Sequence, residues 1–524
     1  MQTRDHYHHQ PDYCRYPLLR RAARSVRSAT AMPALFAVAL AMALAGCAVG
    51  PNFVRPIPQT PAHWSRPTAT PRPLDNPRES TTTEETADLR RWWADFNDLT
   101  LSSLIERSMA SNLDLRAAVL RIEEARAQRG VAAASLWPSV SGNASYTRTR
   151  ISETTATGSL FSTVGTIKTP GTAGINFPNP YNQYQLGADV SWELDLFGRV
   201  RRSVEVADAN IEESVEDQHA ALVSLLGDVA QSYIELRGAQ LRKATAEQSI
   251  ATTSELLELA RKRRAAGLTS EIDVVEATAQ MTATRAQWPA IDLAITQAIN
   301  QLSRLLGQEP EGLRAELDTA APIPPLPSTL PIGFPAELAR RRPDIRKAEA
   351  SLHAATADIG VAVAGLFPRI TFTGSGGFQS ETVVKLMHWA SRFVSIGPTL
   401  ELPMLDLGRW KTVRVKDVRA KEAAVVYAAT VLNALHEVEN ARAAYGADQD
   451  RRAWLDSTVA QNRDAWLLAQ QRYDGGIASF IEVLDAERTL QQNQLSLAES
   501  RTAVGNDLVR LYRALGGGWE NTNR

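Results

Sequence analysis

The chain repeats itself once over most of its length, and this repeat restricts the folds open to it. Gly130–Pro138 (GVAAASLWP) returns as Gly360–Pro368 (GVAVAGLFP), 230 residues on. Asn112-Leu113-Asp114-Leu115 meets Arg342-Pro343-Asp344-Ile345 at the same offset. Further along the offset falls to 209, where Gly267-Leu268-Thr269-Ser270 meets Gly476-Ile477-Ala478-Ser479 and Leu306-Gly307 meets Leu515-Gly516. The first copy therefore carries about 21 extra residues, within a Ser/Thr/Gly/Pro-rich stretch, 151–181, that reads as a long loop. A proline-rich linker, 319–335, joins the copies.

Each copy has one order of elements. A helix comes first, Leu99–Leu136 or Ala336–Leu366, stopped by Pro138 or Pro368. Two stretches of strand character follow, about 139–150 and 184–195, then about 369–378 and 393–403. Next is a very long helical segment, about 203–266 or 411–474, a short Gly-containing break, and a second long helix ending at Leu306-Gly307 or Leu515-Gly516. Sixty-four helical residues span about 95 Å, more than a compact domain needs. Two such helices joined by a tight turn make an antiparallel hairpin; a solid coiled-coil rod fits the same pattern.

The strands alternate. In Leu186–Leu194 the even positions are apolar and most odd ones polar, and Val394–Leu402 repeats this. Period-two alternation over about ten residues fits a transmembrane β-barrel, and also a half-buried sheet in a soluble protein. Four strands cannot close in lipid, where open edges are not tolerated, so a barrel requires oligomerisation. Two protomers would give eight strands with a filled interior, and three would give twelve with room for a lumen.

The N-terminus bears on the choice. Five arginines (15, 20, 21, 24 and 27) precede the 14-residue apolar run Met32–Ala45, and Leu44-Ala45-Gly46-Cys47 closes it. That is a secretory signal, 1–46, whose cut leaves Cys47 first. The run falls short of the ~20 residues of a membrane-spanning helix. Leu-Ala-Gly-Cys resembles the bacterial lipobox, which implies acylation of Cys47, a covalent lipid and no other cofactor. Residues 47–90 then form a lipid-anchored tether, with eight prolines between 48 and 77. The mature chain has 51 basic and 56 acidic residues and no basic tract, which argues against nucleic acid as a partner.

A lipobox, four alternating strands and two long-helix hairpins together resemble the outer membrane factor family, the lipoprotein channels of RND-type tripartite efflux systems. Cys47–Phe53 (CAVGPNF), Trp192–Arg199 (WELDLFGR), Arg341–Ile345 (RRPDI) and Ser391–Pro398 (SRFVSIGP) resemble its start, strand-to-helix junction, second-repeat opening and fourth strand. The resemblance covers nearly all of 47–519. It implies a mixed α+β membrane protein: a homotrimer with a 12-stranded β-barrel, four strands per protomer, continuous with a 12-helix periplasmic α-barrel. Repeat 1 is then 91–318, repeat 2 is 336–516 and the tail is 517–524. The implied function is a passive outer-membrane exit channel for drugs or other small molecules, anchored in outer-membrane lipid. The channel opens at its periplasmic tip through an adaptor (membrane fusion protein), which connects it to an inner-membrane RND pump. Ala48 after the cysteine is consistent with outer-membrane sorting.

Gly267, Leu268, Thr269 and Ser270, with Gly476, Ile477, Ala478 and Ser479, break the long helices, and by resemblance they are where the adaptor docks. The same residues are also helix-hairpin chemistry: glycine turns, and Ser479 with Glu482 matches a capping box, as Ser270 with Asp273 does more weakly. Asp273 with Glu276, and Glu482 with Asp485, are acid pairs spaced to share a helical face. The resemblance makes Glu482 and Asp485 a carboxylate ring at the closed mouth, attracting cations; the helix dipole alone would also favour first-turn acids. Tyr473 matches a position that helps to lock the mouth. Some members carry a locking arginine two residues after the tip glycine, where this chain has Ala478.

An enzyme is not expected: Cys14 leaves with the signal, the five histidines of the mature chain (63, 219, 353, 388 and 436) do not pair at metal-ligand spacing, and no nucleophile elbow or phosphate loop is present. The rivals are a type I secretion channel, against which the lipobox and efflux-type junctions argue, and a pore-less periplasmic scaffold lipoprotein, which has no need of alternating strands.

Overall fold

The computed structural model describes residues 48–65, 78–85, 88–156, 158–159 and 178–522. Cys47, the apolar run before it and residues 160–177 lie outside them. The chain forms β1 (Thr81–Thr83), α1 (Leu99–Ser111), α2 (Leu113–Ala134), β2 (Ser139–Thr149), β3 (Tyr181–Leu194), α3 (Arg199–Ala265), α4 (Glu271–Ala286) and α5 (Trp288–Leu305). It continues with β4 (Thr329–Pro331), α6 (Pro335–Arg341), α7 (Pro343–Ala364), β5 (Arg369–Ser380), β6 (Arg392–Glu401), α8 (Leu407–Asp474) and α9 (Phe480–Ala514).

Three features correct the reading of the sequence. The first helix of each copy is two helices. Asn112 is extended, caps Leu115 through its Oδ1 at 2.8 Å and donates to the Leu305 carbonyl at 2.9 Å. Its counterpart Arg342 precedes Pro343 and is held out of the helical region by the proline ring. The second long helix of the first copy is also divided, at Gln287, because Pro289 has no N–H to continue the helical ladder. The position 209 residues on is Ala498, and α9 runs unbroken. Finally, the tether and the linker pair as a short parallel sheet, β1 with β4, which three-residue strands do not announce.

β2, β3, β5 and β6 form an antiparallel sheet in that order. Each strand continues into a helix: α2 leads into β2, β3 into α3, α7 into β5 and β6 into α8. The helices pack in the same order, α2 on α3, α3 on α7 and α7 on α8. Register puts Val140 opposite Val190, Trp192 opposite Phe372 and Gly374 opposite Ile396. One face of the sheet is thus apolar across all four strands. The other carries Ser141, Asn143, Gln185, Asp189, Thr373 and Ser395. Aromatic pairs bound the apolar face, Tyr146 with Tyr184 at the hairpin end and Trp192 with Phe372 at the helix end. Eight residue steps along β3 separate them, about 27 Å.

Helices also abut end to end. Ser111 Oγ donates to the Leu306 carbonyl at 2.7 Å, joining the end of α5 to α1 and α2, and Arg342 Nη1 donates to the Ala514 carbonyl at 2.6 Å, joining α9 to α6 and α7. The main core lies at this level, midway along the helices. Tyr512 stacks on Trp92 at 4.9 Å and donates to Asp95 at 2.6 Å, and Tyr233 donates to Asp98 at 2.8 Å, so these two buried hydroxyls are satisfied. From the strand–helix junction the N-terminal segment runs down α7. Val49 N–H donates to the Phe197 carbonyl at 3.1 Å, Phe53 stacks on His353 at 4.5 Å, and Arg55 pairs with Glu349. Arg202, buried, holds this segment through the Val49 carbonyl at 3.3 Å and Asn52 Oδ1 at 2.7 Å.

Candidate functional site

The far end of the helices from the sheet gathers most of the residues singled out in the sequence. Gly267 and Gly476 have φ of 76° and 74°, the left-handed conformation that ends a helix with least strain on glycine. Each closes a two-bond C-cap: Gly267 and Leu268 donate to the Arg264 and Arg263 carbonyls, Gly476 and Ile477 to those of Tyr473 and Arg472. Turns this tight push Leu268 and Ile477 outward, 75% and 73% exposed. Two apolar side chains thus project from neighbouring tips.

The caps of the returning helices differ. Glu482 reaches back to accept from the Ser479 N–H at 3.2 Å and its hydroxyl at 3.1 Å. Those bonds hold the Glu482 carboxyl below its usual range, with Arg472 at 4.0 Å adding to the effect. Ser270 makes no side-chain cap bond, so the weaker capping box with Asp273 does not form.

The two acid pairs are not placed alike. Glu276 from α4 and Glu482 and Asp485 from α9 line one open groove of roughly 640 Å³ between these helices, whereas Asp273 is not among its lining residues. Arg488 lines it too and pairs with Asp485. This basic residue was missed in the sequence reading, although its spacing of three from Asp485 is an i,i+3 signal.

Tyr473 is buried, packs against Phe480 at 5.4 Å, and its hydroxyl has no hydrogen-bond partner among the described residues. Its ring instead faces the Arg263 guanidinium, centred 4.0 Å away. Arg263 also donates to the Tyr473 carbonyl at 3.4 Å and pairs with Asp474 at 3.2 Å. Arg263 belongs to the first copy and Tyr473 to the second, so this cation–π contact joins the two hairpin tips. The sequence signal for it was the basic run Lys262-Arg263-Arg264, which reads equally as an ordinary helix C-terminus.

Behind the tip lies a small apolar cluster, Leu256, Leu257, Ala260, Ala277, Val483 and Leu484 with Tyr473 and Phe480, separate from the main core. Buried polar residues lie between the two clusters along the helices: Ser249, Thr253, Thr284, Gln491 and Glu487. Burial pushes the Glu487 carboxyl up to about 7, with a Gln280 hydrogen bond opposing the shift, and one of its oxygens has no hydrogen-bond partner among the described residues.

A sheet with one apolar and one polar face, running strand for helix into ~100 Å helices, defines a class: a subunit of a membrane channel with a long helical extension. The chain belongs to the outer membrane efflux protein family, whose model matches residues 104–308 and 334–517. It is 31% identical to the toluene efflux pump outer membrane protein TtgF of Pseudomonas putida over 490 residues, 92% of this chain and 96% of that one. It is 31% identical to outer membrane protein OprJ of Pseudomonas aeruginosa (92% and 95%), and 30% identical to nodulation protein T of Rhizobium leguminosarum bv. trifolii (91% and 95%). Among solved structures it resembles the outer-membrane channel OprN at 35% identity and a TM-score of 0.76, covering 90% of this chain and all of that one. It also resembles the open-state MtrE channel of Neisseria gonorrhoeae at 27% identity and a TM-score of 0.70, with coverage of 90% and 99%.

Proposed function

We propose that this protein is the outer-membrane exit duct of a tripartite efflux pump, a passive conduit for small molecules. The observation that carries this reading is the four-stranded sheet. Its apolar face is bounded by aromatic pairs and its other face is polar, as lipid on one side and a water-filled lumen on the other require. Among the described residues, β2 and β6 each have a free edge within the protomer. Three copies pairing edge to edge make twelve strands with a lumen, and their helices continue as a twelve-helix wall. The lipid on Cys47 fits this arrangement, because Ala48 and Val49 dock where the sheet meets the helices, at the level of the inner leaflet.

At the other end, the exposed Leu268 and Ile477 offer an apolar contact to the adaptor, and through it to an inner-membrane RND pump. Three copies of Glu482 and Asp485 around the mouth make a carboxylate ring, tempered by Arg488. Opening separates α8 and α9 from α3 and α4, which breaks the Arg263–Tyr473 contact. This contact serves in place of a lock that Ala478 cannot supply. Planar-bilayer conductance of the mature protein, beside a Glu482→Ala/Asp485→Ala variant, tests the reading. Small cation-preferring currents that grow in the variant support it; silence from both proteins refutes it.

A further inference from the structure

We propose that the segment joining β5 to β6, residues 381–392, is a docking surface for a phosphorylated glycolipid of the outer leaflet, with Arg392 and Lys385 taking the phosphate. The inference rests on the reading above that the apolar sheet face meets lipid.

Register carries the argument. Arg392 pairs with Phe378, and Val394, Ile396, Pro398 and Leu400 follow it at two-residue steps on the same face of β6. Val394 and Ile396 are 82% and 84% exposed, the outward apolar ladder of this strand. Arg392 therefore stands at the top of a lipid-facing stripe, at the end of the sheet away from the helices, where headgroups begin.

The segment above it is a compact knot of two short 3-10 turns. The Lys385 carbonyl accepts from the His388 N–H at 3.1 Å and from the Ser391 hydroxyl at 2.7 Å. Arg392 Nε donates to the Trp389 carbonyl at 2.8 Å, and the guanidinium lies over the Trp389 ring. The fork is thus oriented by one nitrogen, and neither Arg392 nor Lys385 has an ion pair among the described residues. Residues 381–392 contain two fixed cations and one acid, Glu381. Val384, Met387 and Trp389 are exposed beside them. An oriented guanidinium and a lysine of the same short segment, with solvent-facing apolar and aromatic side chains continuous with a lipid-facing surface, match a phosphate at the boundary of sugar and acyl chain. A glycolipid fits better than a phospholipid, because the outward face of the Trp389 indole can stack on a sugar ring.

The test uses the full-length trimer, stripped of lipid in detergent. It is titrated with bisphosphorylated lipid A, with dephosphorylated lipid A and with phosphatidylglycerol, and binding is read by native mass spectrometry. Wild-type protein is expected to prefer the phosphorylated glycolipid by about tenfold. Lys385→Gln/Arg392→Gln should lose that preference while keeping its trimer band and its conductance. Trp389→Ala should weaken both glycolipids alike. A phosphate preference unchanged in the double variant overturns the proposal, as does equal or tighter binding of phosphatidylglycerol. Wild-type protein that carries no current in planar bilayers overturns the membrane reading itself, whereas a conducting protein with no phosphate preference overturns this inference alone.

Discussion

Replacing Glu487 by Gln should change the pH dependence of the tip and little else. Glu487 is 3% exposed in the polar layer between the two apolar clusters, and burial lifts its carboxyl from 4.5 to about 7. A raised acid pKa is a penalty on the folded state whenever the group must ionise. The penalty is absent below about pH 4.5, grows between 4.5 and 7, and is complete above 7. A shift of this size corresponds to about 3 kcal/mol at most, since each pH unit is worth roughly 1.4 kcal/mol. Glutamine keeps the shape and the Gln280 contact but carries no charge. The variant should match wild type near pH 4.5 and be the more stable above pH 7. Amide hydrogen exchange localises the effect, which separates it from Asp507 in the upper body, whose carboxyl is also raised to about 7 by burial and the neighbouring Asp448. Peptides covering 271–286 and 480–495 should exchange up to ~100-fold more slowly in the variant at pH 8 and equally at pH 4.5. Identical pH profiles in the two proteins would refute the argument.

Arg263→Ala removes the cation–π contact to Tyr473 and the pair with Asp474, worth about 1 kcal/mol together; single-channel current should rise, and Arg263→Lys should restore part of the closed behaviour. Ile396→Arg places a charge on the apolar sheet face at a cost of about 2–4 kcal/mol, while Ser395→Arg, one residue away on the polar face, should be tolerated; heat-modifiable trimer on gels reads the difference. Arg202→Ala removes the bonds that hold Val49 and Asn52 of the N-terminal segment to the helical body, so limited proteolysis should cut within 48–60 several times faster while that body stays intact.

The parts of this fold that repeat or alternate were legible in the sequence, because each depends on residues near one another in the chain. Strand bounds fell within a few residues of the observed ones: about 184–195 against Tyr181–Leu194, and about 393–403 against Arg392–Glu401. The long helices and their turns followed from composition and from the repeated glycines at 267 and 476, which take the left-handed conformation in the folded chain. The helix breaks at Asn112 and Arg342 were not read, although Pro343 marked one of them. A continuous apolar pattern outweighs a single residue in a sequence reading, whereas in the folded chain these breaks let one helix end be capped by the start of another.

What stayed invisible at the tip is what couples the two copies. Arg263 and Tyr473 are 210 residues apart, and Glu487 meets Gln280 across a similar distance. No local pattern distinguishes Glu487 from the exposed Glu482 five residues earlier. Both lie on one helix with polar neighbours, and only the packing of α9 against α4 decides which is buried. The acids legible from spacing are the exposed ones, whose capping and pairing are local. The tip therefore divides physically. Local chemistry builds each hairpin end, while a small apolar cluster, one cation–π contact and a thin polar layer hold one hairpin to the other. A joint that can open needs a weak interface of this kind: the Glu487 layer weakens it as pH rises, and Arg263 fastens it from the opposite hairpin.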